Sequence, residues 1–231
     1  MACPVMKDPD RYLATRERSF VVGLVKRWVE ERAVRRCLRD LPDLRTVCDA
    51  PSGPGRLFHL WKKLGFAVTG VDLSAPMLGE AERRLTRLGH PGEVRLGDAF
   101  SLRQSLPEGA DLVSCVRFAY YFDEGDRVRL LASLAAASHR FVLVQYKTIE
   151  TPRGLRNRRR AAAREGADLF SNKRFCTIEG IAAEFRRAGL VLRRHGFIGR
   201  SSDRVFALAE KTSRPAPLVP SADRLWSPVA H

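Results

Sequence analysis

A chain of 231 residues is long enough for one substantial hydrophobic core and short for two independent ones. Its 45% hydrophobic and 29% charged residues are ordinary for a globular protein, and no apolar run approaches the roughly 20 residues of a bilayer span, so no membrane span is expected. The net charge of +15 is uneven, at +4 over residues 1–46, +1 over 47–146 and +10 over 147–231, which confines any nucleic-acid reading to the last third.

In chain order, the opening MACPVMKDPDRY has no apolar signal core, and a cytoplasmic protein is expected. From about Asp10 to Arg39 the spacing predicts a helix, with Phe20, Val21, Leu24, Val25, Trp28, Val29, Ala33, Val34, Cys37 and Leu38 as its apolar stripe. Short apolar runs then alternate with amphipathic stretches. Thr46–Asp49 leads through Ala50-Pro51-Ser52-Gly53-Pro54-Gly55-Arg56 into a helix marked by Leu57, Leu60, Trp61 and Leu64 and stopped by Gly65. Phe66–Val71 ends at Asp72, and Ser74 is placed to cap a helix whose face is Met77, Leu78, Ala81, Leu85 and Leu88. Val94–Leu96 ends at Gly97-Asp98, and Asp111–Val116 is followed by Arg117-Phe118-Ala119-Tyr120-Tyr121-Phe122 and a helix from about Asp123 to Ser138. Phe141–Gln145 is the fifth run, and after a helix between Thr177 and Gly189 come strands at about Val191–Phe197 and Val205–Ala209.

Strands alternating with helices at this spacing require long crossovers, hence a doubly wound α/β architecture around a mostly parallel, seven-stranded sheet. Residues 1–211 are read as one domain: an N-terminal helix at about 10–39, a core at 46–146, an arginine-rich, partly helical insertion at 147–173, and a closing part at 174–211. Residues 212–231 read as a proline-rich tail. The five cysteines, Cys3, Cys37, Cys48, Cys115 and Cys176, are scattered without a CxxC pair or a histidine at ligand spacing, so neither a disulfide framework nor a metal is expected. Cys48 and Cys115 lie in apolar runs and read as core.

In an open α/β sheet a ligand sits beyond the carboxyl ends of the strands. Gly53 and Gly55 fall where the first strand turns into its helix, leaving backbone N–H groups free for an anionic group. Asp72 ends the second strand, where a carboxylate can accept both hydroxyls of a ribose, and Asp98 ends the third, where it can accept from a base amino group. Each alone is also explained by a tight turn or a helix cap; in order they describe a nucleoside pocket. A dinucleotide site fits less well, because Phe58 stands at the third glycine position of GxGxxG.

The stretches VCDAPSGPGRL, VTGVDLSAPML, VRLGDAF and DLVSCVRFAYYF together resemble the cofactor-binding motifs of class I S-adenosylmethionine-dependent methyltransferases over residues 46–146. That resemblance implies a Rossmann-like methyltransferase fold with S-adenosyl-L-methionine as cofactor. It places Asp49, Ala50, Gly53 and Gly55 by the methionine part, Asp72 on the ribose, Leu73 on the adenine face, and Asp98 with Ala99 at the adenine edge. Pro51 departs from the family's first loop glycine. Arg117 is a candidate for a carboxylate of cofactor or substrate, and Tyr120 and Tyr121 are candidates to orient or deprotonate an acceptor, with an aromatic wall as the alternative. Tyr12, Arg16 and Arg18 are candidates to close over the cofactor.

The expected acceptor is a small molecule. Nucleic acid is the second reading, motivated by Arg156–Arg160 and opposed by RFAYYF, where base amino-methylating enzymes carry an Asn/Asp-Pro-Pro-aromatic motif. A non-catalytic cofactor-binding protein is the third. The sequence leaves the oligomeric state open.

Overall fold

The computed structural model describes residues 20–41, 44–162, 174–199 and 202–212. Cys3, Tyr12, Arg16, Arg18 and the tail beyond Thr212 lie outside the described residues, as do 163–173 of the expected insertion.

The elements are α1 (Phe20–Leu38), β1 (Thr46–Asp49), α2 (Phe58–Lys63), β2 (Ala67–Asp72), α3 (Ala75–Leu88), β3 (Gly92–Leu96), the short α4 (Leu102–Ser105), β4 (Ala110–Cys115), α5 (Glu124–Ala137), β5 (Ser138–Lys147), α6 (Pro152–Ala162), α7 (Ile178–Arg187), β6 (Leu190–Phe197) and β7 (Arg204–Lys211). They form one sheet of seven strands in the order β3-β2-β1-β4-β5-β7-β6. β1 to β5 pair in parallel, and β7 runs antiparallel between β5 and β6. The order reverses at β1, which has β2 on one side and β4 on the other, so the carboxyl ends of these two strands and β1 border a common crevice.

Helices cover both faces of the sheet. One core gathers Val113, Val142 and Val144 with Leu130, Leu131, Leu134, Ile181 and Phe185; the other gathers Val47, Leu112 and Leu143 with Ala33, Val34, Cys37, Phe58 and Trp61. Central strands wrapped on both sides read as continuous apolar runs, which is why their sequence shows little alternation. Among the described cysteines all four are buried and free.

The sequence expectation for α1 requires one correction. Trp28 is not on the inner stripe: it is 60% exposed, with the Arg32 guanidinium 5.5 Å from its ring centroid. The inner face is Glu30, Ala33, Val34 and Cys37, all buried, at the i, i+3, i+4, i+7 spacing of a helix face. The expected stripe was too wide because it admitted every large apolar side chain, and a helix presents only one face to a sheet.

Beyond β5 the chain is held by a buried ion pair. The Arg127 guanidinium on α5 donates to both carboxylate oxygens of Glu184 on α7, at 3.1 and 3.0 Å from Nε, and to the Phe122 carbonyl at 2.7 Å; Tyr146 on β5 donates its hydroxyl to Glu184 at 3.1 Å. These bonds tie the segment after β4 to the helices that close the far half of the sheet. Arg127→Met is expected to lower unfolding free energy by about 3–5 kcal/mol, since it strands a buried carboxylate. Tyr146→Phe is expected to cost about 1 kcal/mol. Urea unfolding of both variants measures the difference, and equal costs would contradict this assignment.

Candidate active site

The loop after β1 turns sharply because two of its residues adopt left-handed backbone angles, Gly53 at φ +53° and Gly55 at φ +67°, which side chains with a Cβ resist. Gly55 has a second reason to be glycine. A Cβ there would lie 2.5 Å from the Phe58 ring, and one on Gly70 of β2 would lie 2.6 Å from the same ring. Phe58, which looked in sequence like an obstruction, is the wedge on which the loop rests.

Asp72 fixes the loop from the neighbouring strand. One carboxylate oxygen accepts from the Gly53 N–H at 2.8 Å and the other from the Ser74 N–H at 2.9 Å. Above them opens a pocket bordered by Asp49, Pro51, Ser52, Gly53, Asp72, Leu73, Asp98, Ala99 and Arg117, with Phe100, Phe118 and Phe122 along one side. The three phenylalanines pack edge to face, Phe100 to Phe122 at 5.1 Å and Phe118 to Phe122 at 4.8 Å between centroids. Asp98 also caps the following turn, accepting from the Phe100 N–H at 2.9 Å, so the capping and pocket-lining readings of this residue both hold.

Not every expected site residue reaches the pocket. Ala50 is fully buried beneath it, its N–H on the Ser114 carbonyl at 2.8 Å, and Gly55 faces Phe58. Tyr120 and Tyr121 stand outside the lining as well, their rings 4.8 Å apart. Burial pushes the Tyr120 hydroxyl well above its usual range, so it is protonated at neutral pH and unsuited to act as a base.

Three residues that sequence reasoning missed, Glu30, Arg56 and Gln145, organise the pocket's other side. Glu30 of α1 pairs with Arg56 at the end of the loop, accepts from Gln145 Nε2 of β5 at 3.0 Å, and lies 3.4 Å from Arg117 Nε. Arg117 is held there at φ +62°. Burial alone would raise the Glu30 carboxyl, but the charges of Arg56 and Arg117 and the hydrogen bonds bring it down to about 2. Two guanidiniums against one carboxylate leave an excess positive charge on this wall. The signal was present in the sequence, since Glu30 continues the buried spacing of Ala33, Val34 and Cys37.

Asp49 is the opposite case. It is buried, accepts a hydrogen bond from the Ser114 hydroxyl, and burial raises its carboxyl to about 7 despite that bond. The wall therefore offers, side by side, a carboxylate able to face a cation and guanidiniums able to face an anion.

Residues 47–139 match the family model described as a methyltransferase domain. The seven-stranded sheet around them has the fold of solved S-adenosylmethionine-dependent methyltransferases. The chain superposes on magnesium protoporphyrin IX methyltransferase from Synechocystis with S-adenosylhomocysteine bound, at a TM-score of 0.67 and 17% identity, covering 89% of this chain and 94% of that one. It also resembles a protein from Thermotoga maritima described as a possible histamine N-methyltransferase, with a TM-score of 0.62 and 22% identity over 87% and 97% of the two chains. A curated relative, malonyl-[acyl-carrier protein] O-methyltransferase of Salmonella typhimurium, is 49% identical over 39 residues; the match spans 17% of this chain and 16% of that relative.

The Asp49 carboxyl sets a pH dependence. Its folded value of about 7 lies above the ordinary 3.8, so between these values the unfolded chain has released a proton that the folded one keeps, and Asp49 lowers stability as pH rises through this range. Without ligand, Asp49→Asn is expected to be more stable than the wild type at pH 8, by on the order of 4 kcal/mol, and no different near pH 4. Thermal unfolding across that range checks this, and a pH-independent gap would contradict it.

Proposed function

We propose that the protein is an S-adenosylmethionine-dependent methyltransferase acting on a small-molecule acceptor, with one domain over residues 1–211. The observation that carries the reading is Asp72. Its carboxylate is fixed by the Gly53 and Ser74 N–H groups and borders the pocket, where a carboxylate with about four lone-pair positions can still accept from a ribose hydroxyl.

The lining fits the rest of the cofactor. Leu73, 43% exposed, and Ala99 offer apolar surface to a purine, and Asp98 an acceptor for its amino group. Asp49 offers a carboxylate to the cationic methionine part, and Arg117 with Arg56 a positive wall to its carboxylate. Gly53 lets the backbone come close, while Ala50 and Gly55 serve from behind by shaping the loop. When bound, S-adenosylmethionine supplies an electrophilic methyl group on a sulfonium. The chain's own task is to align an acceptor with that group and to exclude water, for which effective molarities of about 10⁵ M or more suffice without a dedicated base. Phe118 and Phe122 provide the water-excluding side, and Tyr120 and Tyr121 stiffen the segment behind them.

A small-molecule acceptor is favoured over nucleic acid by the aromatic segment RFAYYF after β4. The solved neighbours named for magnesium protoporphyrin IX and histamine point the same way.

Calorimetry with S-adenosylmethionine and S-adenosylhomocysteine tests the pocket. Micromolar binding is expected, abolished in Asp72→Ala and weakened at least about tenfold, or about 1.4 kcal/mol, in Glu30→Gln. S-adenosylmethionine affinity is expected to rise from pH 6 to pH 8 as Asp49 ionises beside a cation, and to become flat in Asp49→Asn. Wild-type protein that folds but binds neither compound would end this reading. Binding without turnover of any acceptor in cell extract would point to a non-catalytic cofactor-binding protein.

A further inference from the structure

The arginine-rich segment after β5 is not used by the pocket. It folds into α6, whose inner face is fixed tightly. The Thr151 hydroxyl oxygen accepts from the Gly154 N–H at 3.0 Å while donating to the Ser202 carbonyl at 2.8 Å. Gly154 lies so close to the strand end that a Cβ on it would meet the Thr148 carbonyl oxygen at 1.9 Å. Asn157 donates to Asp203 at 3.0 Å, and Lys147 pairs with the same carboxylate.

With Gly154 and Asn157 turned inward, the helical repeat of 100° sets Arg153, Arg156, Arg159 and Arg160 within about 120° of arc on the outside, with Leu155 beside them. Arg158 lies beyond Leu155. All five arginines are exposed, and none has a carboxylate partner among the described residues. Leu155 is 46% exposed in their midst.

A second exposed apolar side chain stands at the same end of the sheet. Trp28, with Arg32 against its ring, precedes Glu30, which is bonded to Gln145 near the carboxyl end of β5. Residues between β6 and β7 reach both places: a Cβ on Gly199 would touch Val29 at 3.9 Å, and Ser202 and Asp203 hold α6. The pocket opens at this end too, with half-exposed Leu73 at its edge.

We infer that α6 and the exposed Trp28 and Arg32 of α1 form a docking surface for an anionic lipid bilayer, on which the protein sits with the carboxyl end of its sheet facing the headgroups. Arginines attract anionic headgroups at about 1 kcal/mol each near the surface. An indole prefers the membrane–water interface, and a neighbouring leucine adds apolar contact. A nucleic-acid duplex would use the arginines through its phosphates and offer Trp28 and Leu155 no apolar phase to enter. The surface stands apart from the methyl-transfer reading and is tested apart from it.

The test is sedimentation of the full chain with vesicles of phosphatidylcholine alone or mixed with phosphatidylglycerol, together with tryptophan emission. Binding to the mixed vesicles only is expected, weakened by salt, with a blue shift that Trp28→Phe removes. Arg156→Glu with Arg159→Glu is expected to reduce partitioning by more than about tenfold, and Leu155→Ser by less, with S-adenosylmethionine binding unchanged in both. No association of the folded wild type with mixed vesicles overturns the inference. So does association that leaves Trp28 emission unmoved, or preference for an RNA oligonucleotide or poly-glutamate over the vesicles.

Discussion

One buried carboxylate holds the pocket side of this molecule together. Glu30 reaches Arg56 on the glycine loop, Arg117 after β4 and Gln145 on β5, so four segments far apart in the chain converge on two oxygen atoms. A lone carboxylate at 2% exposure would be costly to ionise; here two guanidiniums and an amide make the ionised form the favoured one. The same bonds immobilise the guanidiniums, which would otherwise be long, freely rotating side chains with much rotamer entropy to lose on meeting a ligand. The N-terminal helix therefore braces the pocket wall through one side chain, which holds the lining residues Arg56 and Arg117, although the family model begins at Val47.

The ends of the first three strands were legible in the sequence because each is punctuated by aspartate or glycine at the point where the chain must turn. Thr177 was legible as a cap for the same local reason, and its hydroxyl oxygen accepts from the Gly180 N–H at 3.0 Å. Asp72 and Asp98 followed as pocket-lining residues, since each stands at a strand end. Glu30 was obscured by its partners, which are 26, 87 and 115 residues away. Trp28 misled because hydrophobicity was taken as evidence of burial, which holds in one direction only. Gly55 and Tyr120 were placed at the right loops, but whether a residue faces a pocket or the layer beneath it depends on side-chain direction. Phe58 and the tight packing around Tyr120 decide that.

The uneven charge acquires a structural meaning from this arrangement. Over residues 47–146 acids and bases nearly cancel, and the Arg127–Glu184 pair is matched and buried on both sides. Five of the surplus cations are the exposed arginines of α6, which Asp203 on the inner face does not neutralise, because it is engaged by Lys147 and Asn157. A net charge computed for the whole chain mixes these two populations and describes neither.

The position of β7 bears on how the chain acquires this structure during synthesis. The strand made last sits inside the sheet, between β5 and β6, and β5 pairs with it along seven residues from Phe141 to Lys147. While the ribosome is still adding residues 148–203, β5 therefore presents one open edge of unpaired backbone groups, flanked by some of the most apolar side chains in the protein. Such an edge is a template for pairing with any other extended chain. The nascent protein has its ligand-facing half encoded early, yet its sheet can be sealed only when Arg204–Lys211 emerge.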